Sequence, residues 1–230
     1  MNVSVVLPSF NRARLLPITI PTYFQEDVSE VILVDDCSSD NTAEVVKELQ
    51  TRFPTLRYFR NEVNSKQPYT QNVAISKVQS EYIYFGDDDS VLYPGSIRNL
   101  LNVMREKNAD IVGGRALALF FPEQIDELDE FLSHYRNRIA TEANQIVDLS
   151  TLSTNFTYTV KEPIRVPFCH ASCLCKTQVA REMQFDVKIE GNAYREETDF
   201  LIRATLAGYT IYYTSSANQI NLPSAMCSGG

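Results

Sequence analysis

Short apolar runs of β-type residues recur at nearly regular intervals through the first half of this sequence, and their spacing constrains the fold more than any other feature. The runs occupy residues 3–7, 31–34, 56–59, 82–85 and 111–112, with helix-compatible segments between them. Short buried strands that alternate with helices predict right-handed βαβ crossovers. We therefore expect an α/β fold in which helices cover both faces of a mainly parallel sheet.

Local sequence signals support the helices between these strands. Asn41 is placed to cap a helix in which Glu44 takes the third helical position, a pattern typical of a capping box. Another helix is expected from about Pro68, and a third begins near Pro94 and Gly95. Each carries apolar residues at helical spacing, so each has a face to bury against the sheet.

The regular alternation ends after about residue 115. Two helices remain recognisable by an apolar stripe on a polar background. Between them lies a stretch without a clear period that contains two prolines, which is typical of a loop region that covers a site. The predicted elements are a helix over 122–138, the loop region over 140–168, a helix over 196–207 and a strand over 210–214.

Length and charge narrow the classes of function. A chain of 230 residues fits one domain, here divided into a regular half, 1–114, and a less regular half, 115–230. Its last residues follow no capped element, which is typical of a fragment of a longer chain. The net charge of −8 argues against a nucleic-acid partner, because such surfaces need clustered Lys and Arg. A small phosphorylated ligand remains compatible, since a divalent cation screens phosphate from carboxylates.

Membrane and redox signals point to the cytoplasm. No apolar run approaches the roughly 20 residues of a membrane-spanning helix, and residues 1–8 lack the features of a leader. We therefore expect no transmembrane segment and a cytoplasmic location, which includes the cytoplasmic face of the membrane. The five cysteines show no paired framework. Residues 169–175 could be imagined as a zinc site, but their alternation favours a strand whose cysteines pack as small hydrophobic residues.

Acidic residues follow two of the predicted strands. The run over 31–34 leads into Asp35 and Asp36, and the run over 82–85 leads through Gly86 into three consecutive aspartates, 87–89. In open α/β sheets the ligand crevice lies at the carboxyl ends of the strands. Carboxylates gathered there repel each other unless a cation or ligand donors compensate. Magnesium or manganese would suit the triplet, although an acidic turn with a helix cap explains it about equally well.

Further acidic residues begin the predicted helix over 196–207. Asp199 and Arg203 are four residues apart and are expected to pair, which leaves Glu196 and Glu197 as the freer carboxylates. Either one could act as a general base if burial raises its pKa. His170 fits a buried histidine with a secondary role on the acceptor side.

Five motifs occur in order along the chain, and together they are more specific than any one of them. The motifs are Pro8-Ser9-Phe10-Asn11-Arg12, Val34-Asp35-Asp36, Gln71-Asn72, Asp87-Asp88-Asp89 with Pro94-Gly95, and Glu196-Glu197-Thr198-Asp199 with Arg203 and Gly208. In this combination the sequence resembles family 2 of the inverting glycosyltransferases, over residues 3–213.

The resemblance implies a GT-A fold, which is Rossmann-like, with a nucleotide-binding half over 1–114 and an acceptor-binding half over 115–230. It also implies a role for each matching residue. The nucleotide would be bound by Pro8, Phe10, Arg12, Asp36, Asn72, Asp87 and Asp88, the metal by Asp89, the catalytic base would be Glu197, and Glu196 and His170 would lie on the acceptor side.

The activity implied by the resemblance is transfer of a sugar, with inversion, from a nucleotide-diphosphate sugar to an acceptor hydroxyl in polysaccharide biosynthesis. The implied cofactor is Mn²⁺ or Mg²⁺, the implied donor a UDP-sugar, and the implied acceptor a saccharide or lipid-linked molecule. Three residues depart from the family pattern. Glu197 stands where Asp is commoner, Cys37 replaces a frequent Gly, and Asn221 lies near the place of a frequent His.

Two alternatives belong to other classes. The segment from Asp87 to Val91 also fits the pattern of haloacid-dehalogenase-like phosphatases, in which the first Asp is a phosphorylated nucleophile. That motif normally follows the first strand, whereas three βα units precede it here. A non-catalytic homologue that only binds nucleotide is the second alternative, and the carboxylates retained in all three acidic motifs argue against it.

Overall fold

A computed structural model describes residues 2–151, 153–189 and 195–227. The first half alternates strands and helices as the apolar spacing predicts. Its elements are β1 (Val3–Ser9), α1 (Leu16–Tyr23), β2 (Val28–Asp35), α2 (Thr42–Arg52), β3 (Leu56–Arg60), α3 (Lys66–Lys77), β4 (Tyr82–Phe85), β5 (Ser90–Leu92), α4 (Ser96–Glu106) and β6 (Ile111–Ala118).

The second half has shorter elements up to its last helix and strand. They are a 3₁₀ helix (Pro122–Ile125), α5 (Leu128–Ser133), α6 (Ala143–Ile146), β7 (Val147–Asp148), β8 (Ser153–Thr154), β9 (Ile164–Arg165), β10 (Cys173–Lys176), α7 (Thr177–Met183), α8 (Glu196–Leu206), β11 (Ile211–Asn221) and α9 (Ser224–Cys227). None of the described helices is both long and apolar enough to cross a membrane.

One large sheet organises the chain, in the order β3-β2-β1-β4-β10-β6-β11-β5, with β9 paired to β11. β3, β2, β1 and β4 are parallel, and β6 is parallel to β11. The predicted α/β fold with a mainly parallel, helix-covered sheet is confirmed. β10 departs from this pattern, because it runs antiparallel to both β4 and β6. A strand of the second half thus separates two strands of the first.

Two hydrophobic cores fill the faces of the sheet. One contains β-strand residues that pack against α1, α2 and α4, and the other lies beneath α3, α7 and α8. Side chains that alternate along β1 divide between them, since Val5 and Leu7 face the first core and Val6 the second. A strand buried on both faces reads as a continuous apolar run, which is why the runs in the sequence located these strands well.

Several predicted boundaries were wrong. The helix expected over 122–138 is broken into a 3₁₀ turn and the six-residue α5. The strand expected over 210–214 continues to Asn221, and the stretch over 140–168 contains short elements. Asn41 makes no side-chain cap. Asp40 serves instead, because its Oδ1 accepts hydrogen bonds from Thr42 N at 3.0 Å and Thr42 Oγ1 at 2.6 Å.

Only the second part of the cysteine-rich segment forms the predicted strand, β10, in which Cys173 and Cys175 are buried. The neighbouring Cys169 is also buried and lies against Gly113 of β6. A Cβ added at Gly113 would lie 2.4 Å from Cys169 Cβ and 2.7 Å from its Sγ. Both contacts are shorter than packing permits, so glycine is required where the chain before β10 crosses β6.

Replacement of Gly113 by alanine should therefore destabilise the sheet at this crossing. We expect the free energy of unfolding to fall by about 1–3 kcal/mol, the usual cost of overpacking a filled core. Urea denaturation followed by circular dichroism measures it. An unchanged midpoint would show that the chain around Cys169 shifts without cost.

Candidate functional site

The strand order places the predicted acidic groups at one edge of the sheet. β1 lies between β2 and β4, so the chain after β1 is flanked by the chains that leave β2 and β4. The register agrees, because Ser9 pairs with Asp35 and Val6 with Phe85. The two acidic motifs are thus neighbours across β1, as expected from their positions after parallel strands.

Asp35 has a structural role, because its carboxylate is enclosed by groups of the protein. It is fully buried, and its carboxylate accepts hydrogen bonds from Arg60 Nη1 at 2.8 Å, Tyr58 Oη at 2.6 Å and Ser38 N at 2.8 Å. A buried carboxylate is tolerated when it is paired and hydrogen-bonded in this way. Cys37 follows with a φ of +66°, in the region that glycine adopts without steric cost, which explains the frequent Gly implied by the resemblance.

Asp36 shapes the loop before α3. Its Oδ1 accepts hydrogen bonds from Asn61 Nδ2 and Ser65 N, both at 2.8 Å, and its Oδ2 accepts one from Lys66 N at 2.7 Å. Lys66 has a φ of +67°. The carboxylate therefore holds the loop in a strained turn, and Oδ2 with its single described donor retains capacity for another.

A pocket of about 320 Å³ opens beside Asp36, within the range of small-molecule sites, about 300–1,000 Å³. We call it the first pocket. Two cationic side chains and two carboxylates contribute to its wall, and Phe10 is 41% exposed. It is lined by Pro8, Ser9, Phe10, Arg12, Asp36, Asn64, Lys66, Gln67, Thr70 and Asp88. The structure thus brings together five of the seven residues predicted to bind nucleotide.

Asn72 lies elsewhere, because both ends of its side-chain amide form hydrogen bonds with the backbone of Phe185. Its Nδ2 donates to Phe185 O and its Oδ1 accepts from Phe185 N, each at 2.9 Å. The residue joins α3 to the chain after α7 and is not among the residues that line the first pocket. Its predicted contact with nucleotide stays a prediction.

Arg12 and Asp88 face each other across the first pocket. Arg12 Nε lies 3.6 Å from Asp88 Oδ1, and Nη1 donates to Cys227 O at 3.0 Å. Burial raises the pKa of Asp88 to about 7, an effect opposed by Ser9, reinforced by Asp89 and opposed again by Arg12. Burial therefore outweighs the support that Ser9 and Arg12 give to the ionised form of Asp88.

The turn after β4 rests on Tyr23 of α1. The Tyr23 hydroxyl donates to Asp87 O at 2.7 Å and accepts from Asp87 N at 3.1 Å. Gly86 allows this contact, since a Cβ there would lie 2.9 Å from the Tyr23 ring and 2.7 Å from Leu7 Cδ2. Glycine at 86 and tyrosine at 23 together fix the backbone that presents the aspartates.

The Asp87 side chain is held by the second half of the protein. Its Oδ2 accepts hydrogen bonds from Ser172 Oγ at 2.9 Å and from Gln219 Nε2 at 2.8 Å. Neither residue stood out in the sequence. Gln219 lies in the part of β11 that the predicted strand omitted, and Ser172 carries no motif, so only three-dimensional proximity reveals them.

Asp89 has the chemistry of a ligand for a divalent cation. Burial raises its pKa, the charge of Asp87 adds to the effect, and Arg12 opposes it. No group of three or more His, Cys, Asp or Glu side chains among the described residues forms a ready-made metal site. Mg²⁺ and Mn²⁺ sites at phosphates use only one or two carboxylates and take other oxygens from water and ligand. Asp89 fits such a site.

The start of α8 adds two further carboxylates. Glu196 is only 4% exposed, whereas Glu197 is half-buried. Burial raises the pKa of Glu196 to about 8, with a hydrogen bond to Glu197 and the charges of Glu197 and Asp87 as further causes. The helix start is thus within electrostatic range of Asp87. The predicted pair of Asp199 and Arg203 is confirmed, with Oδ2 and Nε 2.8 Å apart.

His170 lies near the cluster, two residues before Ser172, whose hydroxyl donates to Asp87. Its Nδ1 accepts a hydrogen bond from Ser172 N at 3.2 Å, so the proton of the neutral ring belongs on Nε2. Burial lowers the pKa of His170, while the charges of Asp87, Glu197 and Asp89 act in the opposite direction. The ring is therefore a neutral hydrogen-bond donor close to three carboxylates.

A pocket of about 390 Å³ adjoins His170, and we call it the second pocket. Its walls are largely aromatic and neutral polar. It is lined by Ala116, Leu117, Ala118, Phe120, Tyr135, Thr154, Asn155, Phe156, Thr157, His170 and Asn221. Asn221 also accepts a hydrogen bond from Ser90 at 3.2 Å. The acidic turn after β4 thus lies between a pocket of the first half and a pocket of the second.

Comparisons with known proteins agree with this geometry. Residues 4–173 match the sequence model of the family described as Glycosyl transferase family 2. A GalNAc(5)-diNAcBac-PP-undecaprenol beta-1,3-glucosyltransferase of Campylobacter jejuni is 33% identical over 114 residues, 48% of this chain and 37% of that protein. The poly(ribitol-phosphate) beta-N-acetylglucosaminyltransferase TarP of Staphylococcus aureus is 32% identical over 121 residues, 49% of this chain and 36% of that protein.

Solved structures share the fold. Staphylococcus aureus TarS, residues 1–349 in complex with UDP, superposes with a TM-score of 0.68 at 16% identity, over 96% of this chain and 60% of that one. The mannosyltransferase PcManGT of Pyrobaculum calidifontis, in complex with GDP-Man and Mn²⁺, gives 0.64 at 17% identity, over 95% and 56%. The matched part of this chain corresponds to little more than a third of the length of the two curated relatives.

The raised pKa of Glu196 has a consequence for stability. A carboxyl whose pKa rises on folding, here from 4.5 to about 8, stabilises the fold below pH 4.5, and this contribution is lost as pH rises towards 8. Replacement of Glu196 by Gln keeps the shape and removes the charge. At pH 8 we expect the variant to be more stable than the wild type.

Water screens charges near a ligand site, so we expect about 1 kcal/mol, or roughly 2–4 °C in Tm for this chain length. Differential scanning calorimetry between pH 5 and 8 should show the difference shrinking towards pH 5. Glu182→Gln, at a surface position of α7, is the control. Parallel curves for wild type and Glu196→Gln across this range would contradict the interpretation.

Proposed function

Because the chain belongs to glycosyltransferase family 2, we propose that it transfers a sugar, with inversion and with the help of a divalent cation, from a UDP-sugar to an acceptor hydroxyl. The observation that carries the proposal is the first pocket, in which Asp36, Arg12 and Asp88 converge at the carboxyl edge of the sheet. Glu196 at the start of α8 is within electrostatic range of Asp87 in the same acidic cluster. Neighbouring structures with UDP and with GDP-Man support a nucleotide-sugar donor.

Donor binding in this proposal uses the first pocket. The base would lie against Pro8 and Phe10 and donate an N–H to the Oδ2 of Asp36, while Asp87 or Asp88 would bind the ribose. Arg12 faces the carboxylates and provides positive charge near the diphosphate. Residues 1–114 form the nucleotide-binding half of the chain. The family match leaves the phosphatase alternative without support, since it concerns transferases.

Asp89 would hold a Mn²⁺ or Mg²⁺ ion together with oxygens of the diphosphate. When bound, such an ion neutralises the charge that develops on the departing nucleoside diphosphate. Burial and the charge of Asp87 both disfavour the ionised form of Asp89, and a nearby cation would offset both effects. The Mn²⁺ in the PcManGT complex is in keeping with a cation at such a site.

Proton transfer would fall to Glu197. Its carboxylate would take the proton of the acceptor hydroxyl as that oxygen forms a bond to the anomeric carbon. The bond from this carbon to the diphosphate oxygen breaks on the opposite face, and its electron pair leaves with the nucleoside diphosphate. Inversion follows from this geometry of attack. Glu196, which shares a hydrogen bond with Glu197, and His170 would complete the acceptor side.

The acceptor would bind in residues 115–230, at the second pocket. The pocket presents Tyr135 and Phe156 as flat apolar surfaces and Thr157 and Asn221 as neutral hydrogen-bonding groups. Saccharides combine apolar ring faces with hydroxyls and suit such a surface. A saccharide or lipid-linked acceptor is compatible with the names of the two relatives, which refer to an undecaprenol-linked saccharide and to poly(ribitol-phosphate).

Binding of nucleoside diphosphates tests the donor site. UDP at a hundred times its Kd should stabilise the protein by about 2.7 kcal/mol, or roughly 5–11 °C in Tm. The shift should grow when Mn²⁺ is present. Differential scanning fluorimetry with UDP, GDP and UMP, each with and without Mn²⁺, measures both effects. Asp89→Asn should lose the part that depends on Mn²⁺. The absence of a shift with every nucleotide would contradict the proposal.

Substitution of the glutamates tests the base. Glu197→Gln should lower kcat by about 10²–10⁴-fold, because general-base catalysis contributes on that scale. Its Kd for UDP should stay unchanged. Glu196→Gln is the matched control and should have the smaller effect on kcat. Release of UDP in the presence of candidate acceptors measures turnover. If Glu196→Gln abolishes activity and Glu197→Gln does not, Glu196 is the base.

A further inference from the structure

Gln219 occupies the centre of a buried hydrogen-bond network beneath the acidic turn. The residue is 2% exposed and lies on β11, where it pairs with Leu92 of β5. Its Nε2 donates to Asp87 Oδ2 at 2.8 Å and to Ser90 Oγ at 3.0 Å. Its Oε1 accepts from Tyr84 Oη at 3.3 Å. The amide thus uses both of its ends on residues within the turn and on the strands that flank it, β4 and β5.

The orientation of this amide follows from its partners. An ionised carboxylate only accepts hydrogen bonds, so the end of Gln219 that faces Asp87 must be the NH₂ group. The opposite end must then accept, and the Tyr84 hydroxyl donates to it. Burial strongly raises the pKa of Tyr84, so this hydroxyl keeps its proton. The amide of Gln219 therefore has one consistent orientation in this network.

Asp87 is held through a single oxygen. Gln219 and Ser172 both donate to Oδ2, and no described group donates to Oδ1. Ser172 and Gln219 are 3% and 2% exposed, so solvent does not compete for these bonds. Two fixed donors on the same oxygen define the rotation of the carboxylate. Within the described part of the chain, the second oxygen remains able to accept hydrogen bonds from a ligand.

We propose that Gln219 is a positioning residue, which fixes the Asp87 carboxylate so that Oδ1 is available to the ribose hydroxyls or the hydrated cation of a nucleoside diphosphate donor. The inference rests on the proposed transferase function and adds a residue that binds no ligand itself. It assigns β11, the last strand of the sheet, a part in the donor site.

A neutral amide suits this task. A basic side chain at 219 would form an ion pair with Asp87 and reduce the negative charge available to a cation, whereas a carboxylate would repel Asp87. An amide donates a directed hydrogen bond and leaves the net charge of the cluster unchanged. Only the orientation of Asp87 is set.

Gln219→Met tests the inference, because methionine has a similar length and lacks the donor. We expect the affinity for UDP in the presence of Mn²⁺ to fall about tenfold, which corresponds to about 1.4 kcal/mol. Isothermal titration calorimetry measures it, and a crystal structure of the variant should show Asp87 rotated. Gln219→Asn, which keeps an amide one methylene too short for Asp87, should lose affinity similarly and serves if the methionine variant does not fold.

Gln25→Met is the matched control. Gln25 is a half-buried glutamine whose Nε2 donates to the carbonyls of Leu92 and Tyr93, at 3.1 and 3.0 Å, on β5 and just after it. Its replacement should lower Tm but leave UDP affinity unchanged. This control separates the effect of losing a half-buried amide from the effect of losing the orientation of Asp87.

Two outcomes would overturn the inference: an Asp87 carboxylate that keeps its orientation in Gln219→Met, or a loss of affinity in Gln25→Met equal to that in Gln219→Met. Wild-type protein that binds no nucleoside diphosphate would instead contradict the proposed function. In that case the orientation of Asp87 in the variant crystal still decides whether Gln219 positions it.

Discussion

Repulsion among carboxylates at one edge of the sheet is the constraint on which the surrounding structure depends. Parallel strands bring their carboxyl ends together, and here those ends carry Asp35, Asp36 and residues 87–89. Each acidic group has its own compensation. Arg60 pairs with Asp35, backbone amides satisfy Asp36, and the second half of the chain supplies donors to Asp87. Asp88 and Asp89 are the exceptions, because burial and the neighbouring carboxylates raise the pKa of both.

The two neighbouring aspartates after β2 illustrate how similar residues acquire different tasks. Asp35 is enclosed by an arginine and a tyrosine hydroxyl, and so it holds the protein together. Asp36 points into the loop before α3 and lines the first pocket. Their side chains lie on opposite sides of an extended chain, since successive residues of a strand alternate. The sequence alone places both at the strand end and cannot show which one is enclosed.

Prediction from sequence succeeded for elements whose structure is determined by residues close together in the sequence. Strands of the first half are buried on both faces, so they appear as apolar runs, and helix starts such as Ser96 follow local turn signals at Gly95. The acidic residues at strand ends could be located for the same reason. Shorter elements escaped prediction. A two-residue strand such as β9 has no period, and the pairing of β10 depends on contacts with β4 and β6, which lie far away in sequence.

Prediction of the site was similarly divided. The convergence of Arg12, Asp36 and Asp88 on one pocket follows from strand order, and the motifs marked these residues in advance. Contacts across the two halves had no local signal. The hydrogen bonds of Asn72 to Phe185 and of Gln219 to Asp87 join segments more than 100 residues apart. The different burial of Glu196 and Glu197 arises because the helix turns only one of the two side chains inward.

The antiparallel insertion of β10 also bears on how the chain acquires its structure during synthesis. β4 pairs with β1 on one side, and among the described strands its other side pairs with β10, about 90 residues later in the sequence. At ribosomal rates of 5–20 residues per second, synthesis of those residues takes roughly 5–18 s. Throughout that interval an apolar strand would present an open edge, a surface on which foreign strands can pair. In heterologous production, aggregation is therefore most favoured while the ribosome translates residues 86–176. Lower growth temperatures or chaperone co-expression act on that stage of synthesis.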